Sequence, residues 1–248
     1  MLRNVLVTFD IDGTLLLADK GRNIQINSIM YAYTKFFGKP LQIDKSNPMN
    51  LFQFMYHGIT DSSAFQSMFV KKDFPFHKKD IEKILDYYDE FYTKQNLGHV
   101  IEFPGVRNCI QKLRGMKGVY VAIASGSTEK TAVYKMKHAN NICDEIKPFC
   151  GGFGDKNTLR EYCILTAKKL TEKRINSKID EVVHIGDTPG DVMSAIFAHA
   201  TPISVETGDY KKPNFPNFAT VIPNMDEGLD IILKTVKSLQ HQKGKYSI

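Results

Sequence analysis

An α/β fold built on a parallel, Rossmann-like sheet, with an α-helical module inserted after its first strand, is what this sequence predicts. Three observations predict it. Short apolar runs rich in β-branched residues alternate with stretches whose apolar residues recur three and four apart, the pattern of parallel strands joined by crossover helices. Three of the apolar runs stop abruptly in polar turns: Val5-Leu6-Val7-Thr8-Phe9 in Asp10-Ile11-Asp12-Gly13-Thr14, Val119-Tyr120-Val121-Ala122-Ile123-Ala124 in Ser125-Gly126-Ser127, and Val182-Val183-His184-Ile185 in Gly186-Asp187-Thr188-Pro189-Gly190-Asp191. Between the first two lie residues 18–100, helical in periodicity and poor in strand signal.

The elements follow in order. Residues 1–17 make the first strand and its turn. The strand is apolar throughout, as expected when both of its faces are buried. In the insert, residues 25–37 carry Ile26, Ile29, Met30, Tyr33 and Phe37 on one helical stripe, and residues 80–92 repeat the pattern. Its aromatic residues Phe52, Phe54, Tyr56, Phe65 and Phe69 are expected to pack the module, with one or two rings free to face a ligand. Phe103-Pro104-Gly105-Val106 returns the chain to the main domain, residues 101–248. There the pattern predicts a helix over 106–116, the strand before Ser125, a helix over 129–138 and a segment ending at Phe149. Gly151-Gly152-Phe153-Gly154-Asp155-Lys156 reads as too glycine-rich for regular structure. A helix over 158–170 precedes the strand before Asp187. Then come a helix over 191–199, a strand over 201–205, a last helix over 226–239 and a frayed tail.

Composition bounds the function classes. A chain of 248 residues holds one sizeable core, or a core and a smaller insert. Its 42% hydrophobic and 24% charged content is ordinary for a globular domain. The net charge of +6 favours anionic ligands, but the lysines are scattered along the chain, so no nucleic-acid surface is expected. No apolar stretch reaches the roughly 20 residues of a membrane helix. The first residues lack the apolar length and cleavage site of a secretion signal. Cys109, Cys143, Cys150 and Cys163 show neither metal-binding nor disulfide-frame spacing and read as reduced thiols. A cytoplasmic protein is the expectation.

In open α/β sheets, ligands bind at the carboxyl ends of strands. If the three strands lie side by side and parallel, their ends gather acids, a hydroxyl and free backbone N–H groups in one pocket. Each piece has a plainer reading. Asp10 and Asp12 could form a solvated Asx turn, and Ser125 could be an ordinary helix cap. His57, His77, His99, His138, His184 and His199 show no ligand spacing, and His184, inside a strand, reads as a satisfied core residue.

The set taken in order, Asp10-x-Asp12-x-Thr14, then Ser125, then Gly186-Asp187-x-x-x-Asp191, resembles the haloacid dehalogenase-type (HAD) phosphohydrolase superfamily over nearly the whole chain. The resemblance is strongest to its phosphoglycolate phosphatase-like branch, whose insert is an α-helical C1-type cap. It implies a fold and a set of roles. Asp10 would be the nucleophile that forms an aspartyl-phosphate. Asp12 would be general acid to the leaving oxygen and then base to water, with its backbone carbonyl on the metal and Thr14 orienting it. Dehalogenase members lack a carboxylate at the Asp12 position, so its presence favours phosphoryl transfer. Ser125 and the Gly126 N–H would hold phosphoryl oxygens. Asp187 would ligate Mg2+, and Asp191 would be a second ligand or an anchor for the site's cation.

The chain departs from the commonest pattern of that family in having no Lys-Pro before the last acidic strand. Arg160 is the first candidate for the cation that bridges Asp10 and phosphate, and Lys156 is the second. In the insert, His57-Gly58-Ile59-Thr60-Asp61 resembles a cap motif of the same branch. Thr60 could border the substrate or simply cap a helix. The expected function is an Mg2+-dependent phosphatase for a small phosphorylated metabolite. A sugar-phosphate phosphomutase, or a catalytically weak binding protein on the same fold, is the alternative. The substrate and the oligomeric state stay open at this level.

Overall fold

The computed structural model describes residues 2–41, 59–146 and 150–242. Six strands form one sheet: β1 (Val5–Phe9), β4 (Val119–Ser125), β5 (Gly151–Phe153), β6 (Glu181–Gly186), β7 (Thr201–Val205) and β8 (Thr220–Ile222). Their order across the sheet is β5-β4-β1-β6-β7-β8, and every neighbouring pair is parallel. The three strands with polar turns are therefore adjacent, with β1 between β4 and β6. Register aligns their ends, since Phe9 lies opposite both Ile123 and Ile185.

Side chains alternate across the sheet, and both faces are covered. Val5, Val7 and Phe9 of β1 pack with Val121, Ile123, Val183 and Ile185 against α4 (Val106–Arg114), α5 (Glu129–His138) and α8 (Leu229–His241). Leu6, Ala122, Ala124 and Val182 face α6 (Glu161–Ile175) and α7 (Pro189–Phe197). Burial on both faces explains why these strands read as unbroken apolar runs.

The chain leaves the sheet through β2 (Leu16–Ala18) and returns through β3 (Val100–Glu102), which pair antiparallel. Neither short strand was expected at the borders of the insert. Between them, α1 (Gly21–Phe37), α2 (Asp61–Lys71) and α3 (Lys78–Tyr92) enclose an apolar core of their own, including Ile29, Tyr33, Phe65, Phe69, Ile84 and Tyr88. Phe65 and Phe69 pack there. His57, Phe52, Phe54 and Tyr56 lie outside the described residues, as do residues 147–149, with the segment end expected at Phe149, and the chain after Gln242.

One expectation is corrected. Gly151-Gly152-Phe153 is not irregular but the edge strand β5, paired with β4. The glycines are there for close approach. A Cβ on Gly152 would lie 1.9 Å from the Cys163 carbonyl oxygen, so α6 could not pack so tightly on a larger residue. A strand can be glycine-rich where another backbone crosses it closely.

Candidate active site

The ends of β1, β4 and β6 open into a cleft of about 240 Å3 lined by Asp10, Asp12, Ser125, Gly126, Ser127, Arg160 and Asp187. The insert closes it from the other side with Arg22, Gln25, Ile59, Asp61, Tyr88 and Tyr92.

Asp10 continues the β1 ladder, its N–H donating to the Ile185 carbonyl at 2.9 Å. Its side chain is buried. Burial raises its pKa above the usual carboxylate value, and Asp191 and Asp12 push the same way. Arg160 and the Ser125 hydroxyl pull it down without cancelling the rise. Asp187 is likewise buried and raised, by desolvation first and then by Asp191 and Asp10. Oxygens of Asp10, Asp187 and Asp191 lie within 4.8 Å of one another. Buried like charges this close cost free energy unless a cation sits among them.

Asp191 differs. Burial alone would raise its pKa, but Arg160 outweighs it, with help from His184 and Thr188, and the carboxyl is held well below its usual range. Arg160 reaches it with Nε at 2.9 Å and Nη2 at 2.6 Å. His184 Nε2 lies 3.2 Å from the same oxygen, and Thr188 donates its N–H at 3.0 Å and its hydroxyl at 2.7 Å to the other. Thr188 and Asp191 form the capping box that starts α7. Asp191 is thus saturated with donors, which suits an anchor for Arg160 more than a metal ligand. His184, buried between Thr8 and Asp191, is the satisfied core histidine the sequence suggested.

Arg160 sits at the start of α6 with its side chain almost fully buried. Nη2 lies 3.0 Å from Asp10 and 2.6 Å from Asp191, so one guanidinium nitrogen bridges the two carboxylates. A buried guanidinium on the wall of the cleft, held between two carboxylates, is placed to meet an anion there. Lys156 lies elsewhere: exposed, and paired with Glu129 at 2.9 Å.

Thr14 takes a partner other than the expected one, and Thr60 takes the helix-cap reading of its two. The Thr14 hydroxyl donates to Asp187 at 3.2 Å, not to Asp12, and Thr14 is buried beneath the cleft. Thr60 caps α2 by accepting from the Ser63 N–H at 3.1 Å and donates to the Thr158 carbonyl at 2.8 Å. It does not line the cleft among the described residues. Asp12 is half exposed on the cleft, and the Ser127 hydroxyl lies 3.3 Å from it.

The partner of Asp12 that sequence reasoning missed is Lys135. This buried lysine on α5 forms an ion pair with Asp12, donates to Ser127 at 2.9 Å and lies 5.9 Å from the centre of the Tyr92 ring. Burial disfavours its charge, but Asp12 and Tyr92 outweigh that, and its pKa is raised. The signal was present in the sequence: Lys135 falls on the stripe Thr128, Thr131, Ala132, Met136 and Ala139, which faces inward. A lysine at a core position of an amphipathic helix needs a buried partner.

Asp61 yields a first prediction. Burial pushes its carboxyl up to about 7, with Lys135 and the Thr128 N–H opposing and Asp89 and Asp12 adding to the rise. A folded-state value above the unfolded one stabilises the fold at pH below the ordinary carboxylate range, and that contribution is lost as pH rises through about 7. Asp61→Asn is therefore expected to match wild type in thermal midpoint at pH 4 and to exceed it at pH 8. Equal midpoints at both pH values would show that the carboxyl is not held in a desolvated setting.

Comparison with known proteins gives a consistent outcome. A family model described as haloacid dehalogenase-like hydrolase matches residues 7–205. No curated protein matches the sequence. Among solved structures, a predicted phosphatase from Clostridium acetobutylicum superposes with a TM-score of 0.64 at 21% identity, over 94% of this chain and 100% of that one. CbbY from Rhodobacter sphaeroides in complex with phosphate gives 0.63 at 14%, over 92% and 96%. A candidate beta-phosphoglucomutase from Bacteroides vulgatus gives 0.61 at 17%, over 98% and 92%. At such identities these neighbours share the fold.

Proposed function

The chain belongs to the haloacid dehalogenase-like hydrolase family, and from that premise we propose that it is an Mg2+-dependent phosphatase acting on a small phosphorylated metabolite through an aspartyl-phosphate on Asp10. The observation that carries this reading is Arg160, whose buried guanidinium lines the cleft and spans Asp10 and Asp191. Residues 1–17 and 101–248 are taken as the catalytic core and residues 18–100 as its cap.

The steps follow from the side chains. Asp10 attacks phosphorus, and the bond from phosphorus to the ester oxygen breaks as the new one forms. Asp12 gives its proton to the departing oxygen. Arg160, the Ser125 hydroxyl and the Gly126 N–H hold the phosphoryl oxygens as charge shifts onto them. Water then enters, Asp12 takes its proton, and attack on phosphorus releases inorganic phosphate and restores Asp10. The donor set fits a hard divalent cation: buried carboxylates of Asp10 and Asp187, both with raised pKa, and the backbone carbonyl of Asp12. When bound, Mg2+ would neutralise the charge between Asp10 and the phosphoryl group. Asp191 is assigned to anchoring Arg160.

A cleft of about 240 Å3 is smaller than the roughly 300–1,000 Å3 typical of drug-sized ligands, which supports a small ester. The same aspartates could pass the phosphoryl group to a sugar hydroxyl instead. A screen of phosphorylated metabolites with Mg2+, reading both free phosphate and isomerised sugar phosphate, tests the assignment. Phosphate release is expected. Isomerisation without it would make the chain a phosphomutase. Chelation with EDTA should stop turnover, and Mg2+ should restore it where Ca2+, with its looser coordination, does not. Full activity after exhaustive chelation would remove the metal from the scheme.

A further inference from the structure

The Ile59-Thr60-Asp61 segment of the insert lies directly on the turn after β4. The Asp61 N–H donates to the Gly126 carbonyl at 2.8 Å, and the Asp61 carboxylate accepts from the Thr128 N–H at 3.0 Å. One residue of the insert thus holds two backbone groups two positions apart on the core. The next residue extends the clasp, with the Ser62 N–H on the Gly154 carbonyl at 3.1 Å and the Gly154 N–H on the Ser127 carbonyl at 2.8 Å. The fit leaves no slack: a Cβ on Gly126 would lie 2.4 Å from the Ile59 carbonyl oxygen.

We infer that Asp61 is a positioning residue of the cap, bracketing the 125–128 turn so that the Ser125 hydroxyl and the Gly126 N–H are fixed for the phosphoryl group only while the cap is seated. The inference rests on the phosphatase reading. The physical reason is that a free turn can rotate the Gly126 and Ser127 peptide planes, and glycine at 126 makes that rotation easy. Tying the Gly126 carbonyl and the Thr128 N–H to one rigid helix start removes it. Donors that do not reorganise on binding are worth more to an anion than mobile ones. What the bracket requires of the Asp61 side chain is an acceptor at this reach, not its charge. Burial of Asp61 works against its ionised form, and the amide of asparagine could accept from the Thr128 N–H equally well.

The test is calorimetric titration of inorganic phosphate into the full chain in excess Mg2+, for wild type, Asp61→Asn and Asp61→Ala, with thermal unfolding of each. Asp61→Asn keeps an acceptor at the same reach and is expected to bind phosphate within about threefold of wild type. Asp61→Ala keeps the backbone bond to Gly126 but loses the Thr128 half of the bracket, and is expected to bind about tenfold or more weakly, the scale of one hydrogen bond's free energy. If Asp61→Ala does not fold, Asp61→Ser, one bond too short to reach Thr128, is read in its place. Unchanged phosphate affinity in a folded Ala or Ser variant would overturn the inference while leaving the phosphatase reading intact. Equal weakening in Asn and Ala would also overturn it, because the lost feature would then be the charge. Wild type that binds no phosphate would overturn both, since a turn that holds no phosphate needs no brace.

Discussion

Asp10→Asn is expected to abolish phosphatase activity while leaving the fold at or above wild-type stability. The amide is nearly isosteric but is no nucleophile toward phosphorus. The stability half of the expectation comes from the surroundings of Asp10. Its carboxyl is buried, and its pKa is raised by desolvation and by its acidic neighbours. Removing that charge relieves repulsion with Asp187 and Asp191. Arg160 keeps Asp191 as a partner at 2.6 Å, so no buried cation is stranded. Turnover on the best substrate of the metabolite screen, measured beside the thermal midpoint, checks both halves. A variant with near wild-type turnover would end the covalent mechanism.

Arg160→Ala is the second large effect, expected to lower turnover by at least about 100-fold, the scale of removing a positioned electrostatic stabiliser. Arg160 faces both Asp10 and Asp191. Its loss leaves two buried carboxylates without their shared cation, so some loss of stability is also expected. Arg160→Lys separates the two effects. A lysine restores one charge but cannot fork between two carboxylates and still present a donor to phosphate. It should recover stability more than turnover. Lys156→Ala is the control. Its partner Glu129 is solvent-facing, and an exposed pair of this kind contributes about 1 kcal/mol or less. Turnover within about twofold of wild type is expected. The opposite ranking of Arg160 and Lys156 would move the bridging role to Lys156, and two mild effects would move it to a cation outside this segment.

Much of this architecture was legible in the chain. Apolar runs such as Val5 to Phe9 can bury both faces only in a sheet covered on both sides, and period and length then mark them as strands. The polar turns after β1, β4 and β6 are equally plain, because Asp10 and Asp12, Ser125-Gly126-Ser127 and Gly186-Asp187 break the apolar runs that end at Phe9, Ala124 and Ile185. Arg160 was legible as well, as a cation at a helix start in the right chain order. Less legible were the pieces whose meaning depends on what lies across from them. Gly151 to Phe153 read as irregular because glycine propensity describes a chain alone, and only the approach of Cys163 explains a glycine strand. The strands β2 and β3 are three residues each and exist because they pair with one another across the whole insert.

The sequence by itself therefore determined the fold class, the family resemblance and the strand ends where chemistry is expected, because these rest on local periodicity and on motif order along one chain. Tertiary structure alone decided the partnerships. It gave Thr14 to Asp187 instead of Asp12, turned Thr60 into a helix cap, saturated Asp191 with donors, and brought Lys135 and Asp61 to the cleft from helices far apart in the chain. The physical reason is that hydrogen bonds and ion pairs are set by distances of a few ångströms between segments, and no spacing along a single sequence encodes how far one helix is from another.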